Sequence, residues 1–197
     1  MELKWRGNLA MLMALAAWQL TALATASAAD SAVVPLQNGP NEIDFTGDGN
    51  ADLVVLATRD NYNAHGFDTV AFYAHAAIDK DDTSPWKVVP LFDGDKEKDQ
   101  VSVSGGADCL LHDFRLLAAK GGKPATLIIA EREFGVSYAD PAPVNFTFYE
   151  LKQNKEGLVG RPLFWFDKVR TQQAAKPWCD VGEAFDKELG LQPYRKQ

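Results

Sequence analysis

Histidine is scarce in this chain. Only His65, His75 and His112 occur among 197 residues, and none belongs to a His-x-His-x-Asp run. Zinc hydrolases gather several imidazoles around the ion, so that chemistry is disfavoured. Clusters of lysine and arginine are missing too, and the formal charge is −7. Nucleic acid and anionic membrane surfaces, which bind through basic patches, are therefore not expected partners. A serine β-lactamase set is also lacking. Ser84-Pro85-Trp86-Lys87 has Ser-x-x-Lys spacing, but Pro85 and the following Val88-Val89-Pro90 place it at a turn entering a strand, and no Ser-Asp-Asn appears. The motif works on a helix, where the lysine lies beneath the hydroxyl. Internal repeats and low-complexity tracts are absent as well.

Long apolar runs are confined to the start. Lys4 and Arg6 precede a mostly apolar stretch from Leu9 to Leu23, and Ala26-Ser27-Ala28 has the small residues of a cleavage site. Residues 1–28 read as a cleavable export signal and residues 29–197 as one domain, with no membrane span after cleavage. A periplasmic location is expected. Only two cysteines occur, Cys109 and Cys179. In an exported domain they are expected to pair, closing a loop of about 70 residues worth roughly 4 kcal/mol on the chain-entropy model.

The acidic residues are not spread evenly. Asp44-Phe-Thr-Gly-Asp-Gly-Asn-Ala-Asp52 sets oxygen-bearing groups at Asp44, Thr46, Asp48 and Asp52, and the Asn50 carbonyl adds another. Such spacing wraps a loop around a hard cation, for which calcium is the expectation. The glutamate that would close an EF-hand loop is not there. Asp-Gly clusters also build Asx-turns without metal, and either reading makes the loop structural.

Short segments rich in β-branched and aromatic residues predict strands at Leu53–Thr58, Thr69–Tyr73, Lys87–Phe92, Leu127–Ala130, Val144–Leu151 and Leu163–Val169. In the fifth, Phe146 and Phe148 share one face while Thr147 and Tyr149 share the other. Turn clusters such as Asp79–Pro85 and Asp93–Asp99 separate the strands, with no helical crossovers. The expectation is a mainly β, antiparallel sandwich or barrel. One helix is predicted near the C-terminus: Asp180 caps it, Val181, Ala184, Phe185 and Leu189 form its apolar stripe, and Gly190 ends it.

Taken in order, several segments resemble the CarG-type carbapenem intrinsic-resistance (self-resistance) proteins. They are Ile43–Gly49, Asp60–His65, Gly105–Cys109, Leu111–Arg115, Tyr138–Val144, Trp178–Val181 and Glu183–Phe185. The resemblance implies a periplasmic β-sandwich with short helices, a cation site, homodimers, and non-enzymatic protection against a carbapenem through the drug or its periplasmic target. That family is fold-related to inhibitors of invertebrate-type lysozyme, which insert a loop with Ser-Gly and Tyr into the enzyme cleft. The nearest segment here is Gly135-Val136-Ser137-Tyr138, without the Ser-Gly order. Lysozyme is the alternative partner.

Two further clusters bear on recognition. His112 and Arg115 could line a cleft for a carboxylate or carbonyl, with Arg115 as anion anchor; the other reading of His112-Asp113 and Arg115 is a buried hydrogen-bond network. Ser137 and Tyr138 form the second candidate contact. Glu131 and Glu133, two apart on a strand, read as a solvent-facing pair.

Overall fold

The computed structural model describes residues 32–63, 65–106, 108–135 and 137–195. The export signal expected over residues 1–28 lies outside them. Among the described residues no helix is long and apolar enough to cross a membrane.

The described residues form eleven strands and one helix, in chain order: β1 (Gly39–Ile43), β2 (Asp52–Asp60), β3 (Gly66–His75), β4 (Trp86–Val88), β5 (Leu91–Asp93), β6 (Lys96–Lys98), β7 (Val101–Gly105), β8 (Leu110–Leu117), β9 (Thr126–Arg132), β10 (Val144–Gln153), β11 (Phe164–Gln173) and α1 (Val181–Leu189). The mainly β expectation holds. The sheet, however, is one continuous ladder, β1-β2-β3-β7-β8-β9-β10-β11-β5-β6, with β4 attached to β3. All pairs are antiparallel except β5 with β11.

This ladder folds back on itself to give two facing layers. Phe72 of β3 and Phe166 of β11 stand far apart along the ladder, yet their rings are 5.0 Å apart, and Phe45 packs against both. The segment from Trp86 to Asp93 stitches the layers together. Val88 pairs with Tyr73, the Val89 amide donates to the Phe72 carbonyl, and the Phe166 amide donates to the Pro90 carbonyl. Pro90 offers no N–H, so the single strand expected over Lys87–Phe92 divides there, and its halves serve different neighbours. The expected turn cluster at Asp93–Asp99 is a tight β5–β6 hairpin.

β10 follows its sequence alternation. Phe146 and Phe148 join a core beneath α1, whereas Tyr149 joins the core between the layers. The one helix among the described residues begins where Asp180 accepts hydrogen bonds from the Gly182 and Glu183 amides, and ends at Gly190 in the left-handed conformation. Val181, Ala184 and Phe185 are fully buried, with Leu189 partly so. Phe185 alone, packed on Phe146, accounts for about 3–5 kcal/mol by comparison with other buried Phe-to-Ala losses. The Cys109–Cys179 disulfide, with Cα atoms 5.6 Å apart, fastens the segment before α1 to the start of β8. Beside it the Asp180 carboxylate accepts the Leu110 amide.

Candidate functional site

Polar side chains collect on the concave face of β8–β11, and strand register explains why. His112 lies opposite Glu131, and Glu131 opposite Asn145. One rung further on, Ile129 faces Thr147 and Thr147 faces Thr171. The next rung pairs Tyr149 with Lys168. Side chains alternate along each strand, and the irregularity in the β10–β11 ladder between Phe148 and Tyr149 brings Lys168 to the same side as Thr171, three positions away, so all of these reach the groove. The β5–β6 hairpin roofs them, contributing Asp93, Lys96 and Lys98, and Leu91, Phe92 and Val101 supply apolar walls. The enclosed groove measures about 610 Å³.

Charge in the groove is partly paired. Lys168 Nζ sits 2.9 Å from Asp93 Oδ2. Among the described residues neither Lys96 nor Lys98 makes an ion pair. Burial pushes the Tyr149 phenol up to about 12, and the nearby Asp93 and Glu131 carboxylates add to the shift. Its hydroxyl therefore keeps its proton and is available as a donor at neutral pH. Donors, acceptors and apolar wall in one concavity make an arrangement suited to holding a small polar molecule.

Of the residues singled out from sequence, His112 lines this groove. Arg115 does not. Three positions apart on a strand, the two side chains leave opposite faces of β8, so the cleft expected to join them is not formed. Arg115 is 1% exposed beneath α1, paired with Asp113, donating to the Phe114 carbonyl and lying 4.3 Å from the centroid of the Phe185 ring. Burial raises the Asp113 pKa even though the Arg115 charge opposes the shift. The buried-network reading fits these two. Glu131 and Glu133 are both exposed as expected, with Glu133 accepting from Asn145 and Glu131 turned into the groove.

The acidic loop is held by main-chain amides. Asp44 accepts from the amides of Gly47, Asp48 and Gly49, and Asp48 accepts from Asn50. Thr46 lies at the margin of this set, its hydroxyl 3.5 Å from Asp44 Oδ1. Asp52 is 1% exposed and takes three amides: Phe45 at 3.1 Å and Thr46 at 2.9 Å on Oδ2, His75 at 3.0 Å on Oδ1. Desolvation raises its pKa, and the amide bonds act in the opposite direction. No group of three or more His, Cys, Asp or Glu among the described residues is placed to hold a metal ion. As folded, the carboxylates do not converge into a cage, so the calcium expectation rests on residue spacing alone.

In the Gly135–Tyr138 loop, Ser137 is committed to local bonds: its hydroxyl donates to Asp140 and accepts from the amides of Ala139 and Asp140. Arg132 ties the loop from beneath through the carbonyls of Asp140 and Ser137. Tyr138 is 57% exposed and meets the 68% exposed Phe134 edge-on, with centroids 5.0 Å apart.

The groove residues Thr147, Tyr149, Lys168 and Thr171 were not singled out in advance. The available signal was the β10 alternation, which set polar Thr147 and Tyr149 on the face opposite two phenylalanines.

No curated protein matches the chain. A solved structure titled as the crystal structure of CarG matches with a TM-score of 0.65 and 25% identity, covering 82% of this chain and 98% of that one. A family model described as carbapenem resistance protein CarG-like matches residues 36–187, nearly the whole β domain and most of α1. This chain belongs to the CarG-like family of carbapenem resistance proteins.

Proposed function

We propose that this protein is exported to the periplasm and protects the cell from a carbapenem without hydrolysing it, by holding the drug or by shielding its target. The observation that carries the reading is the family match over residues 36–187. Scarce histidine and the lack of a helical Ser-x-x-Lys set support a non-hydrolytic route. Calcium is not required by this reading, since amides account for the curvature of the Asp44–Asp52 loop. Homodimer formation carries over from the resemblance and is checked by sedimentation.

The test is the carbapenem inhibitory concentration for a sensitive bacterium exporting the protein, set beside a form lacking residues 1–28. A rise that needs export, with drug concentration in the medium unchanged, is the expected result. No rise, with soluble protein present in the periplasm, removes the reading.

A second reading, inhibition of an invertebrate-type lysozyme, is favoured by one feature: the exposed Phe134–Tyr138 pair on a loop tethered by Arg132. Rigid aromatic tips make good anchors, and an acidic chain attracts a cationic enzyme. Cell-wall clearing by such a lysozyme slows in excess protein on this reading. Clearing that proceeds undiminished discards it.

A further inference from the structure

The geometry points to the groove beneath the β5–β6 hairpin as a binding site for a small organic monoanion, one carboxylate on a compact ring system. Lys96 and Lys98 meet the carboxylate at the rim, while Thr147, Thr171 and Tyr149 offer hydroxyls on the floor. This deepens the protective reading and depends on it only for the choice of probe.

Three observations converge on that ligand class. The first is size: about 610 Å³ falls within the range of sites that enclose drug-sized molecules. The second is charge. The chain as a whole is acidic at −7, yet the groove sets three lysines against two carboxylates. Lys168 is neutralised by Asp93, which leaves Lys96 and Lys98 to give the hairpin end a positive character. A dianion would find only one unit of net positive charge here, and a cation would face two unpaired lysines.

The third is polarity along the floor. From the Asn145 rung to the Tyr149 rung is about 13 Å of strand. Glu131 and His112 occupy one end and the lysines the other. An anion bound at the hairpin therefore presents its opposite end, best a hydroxyl or amine donor, to Glu131. Ile129, Leu91 and Phe92 lie between as apolar surface for the ring.

A carbapenem, with one carboxylate on a fused ring, is the probe. The exported protein, its disulfide intact, is titrated with the drug and followed by amide chemical shifts, beside the ring-opened drug as the dianionic comparison. Shifts concentrated on β8–β11 and the hairpin are expected, with the ring-opened form weaker. Lys98→Glu and Thr147→Val, each with an unchanged thermal midpoint, weaken binding at least tenfold, whereas Tyr62→Ser on a remote loop leaves it unaltered. Binding that ignores both groove variants, or shifts centred elsewhere, overturns the assignment. Cellular protection without any binding also overturns it and leaves the protective reading standing through target shielding. Binding lost in the groove variants, in a protein that protects no cell, supports the groove and removes the protective reading.

Discussion

Replacing Asp52 with alanine removes the acceptor for three main-chain amides, those of Phe45, Thr46 and His75. Two of them hold the loop that follows β1, and the third ties it to the end of β3. Hydrogen bonds to an ionised acceptor contribute about 1.5–3 kcal/mol each, and of the donors left behind the Phe45 amide is buried and the other two are partly so. Against this stands the cost of keeping a carboxylate at 1% exposure, which raises its pKa. The bonds share one group and are not additive, so the expected net loss is roughly 3–5 kcal/mol. For a domain of this size that lowers the thermal midpoint by roughly 6–20 °C. Asp52→Asn should lose about half as much, because its remaining oxygen can keep the Phe45 and Thr46 amides while its amide group confronts the His75 donor. Thermal and urea unfolding should be followed with the protein in EDTA and again in millimolar calcium. If amides carry the loop, the loss is the same in both. A loss under about 1 kcal/mol in EDTA would refute the reasoning, and a loss seen only in calcium would assign the loop to the ion.

Three other outcomes follow from the buried polar groups and the bridge. Arg115→Met strands the Asp113 carboxylate under α1 and should cost about 3–5 kcal/mol by urea unfolding; Asp113→Leu combined with it should recover much of that loss. Removing the disulfide by Cys109→Ser with Cys179→Ser should lower stability by roughly 2–4 kcal/mol while the far-ultraviolet spectrum stays that of a β protein. Tyr149 gives the pH dependence. A phenol ionises near 10 in the unfolded chain and at about 12 in the folded one, so the unfolded state loses its proton first and stability falls as pH rises between those values. The fall from this residue amounts to up to roughly 3 kcal/mol, and Tyr149→Phe should flatten that part of the curve while the buried Tyr194, whose pKa is also raised, maintains the rest.

The strands that announced themselves were runs rich in β-branched or aromatic residues, whether wet on one face, as β2 and β10 are, or buried on both, as β9 is. β10 alternates because its two sides meet different surroundings, and β2 and β3 carry apolar runs that end in polar tips. β8 did not read as a strand, since Asp113 and Arg115 interrupt its apolar residues. They are tolerated inside because each neutralises the other against the Phe185 ring. β6 was hidden by shortness, three residues within a segment rich in lysine and aspartate, and β5 was read only as the end of the longer strand that Pro90 divides. The helix was legible down to its caps because Asp180 and Gly190 act locally. The groove was not, because its rungs come from four strands whose register is set by pairing. A sequence that places Thr147 inward says nothing of Thr171 until β10 and β11 are aligned.

The crossing of the Trp86–Asp93 segment from β3 to β11 bears on how this protein meets others. A ladder that folds over and is stitched to itself leaves few open ends, and those that remain are poor templates for another strand. β1 carries Pro40, β4 spans three residues, and β6 reads Lys-Glu-Lys. Proline, brevity and charge each discourage a neighbouring chain from extending a sheet. Fibre growth by strand addition is therefore disfavoured at these ends, and a second copy is expected to join through side chains on a face rather than by adding strands at an edge.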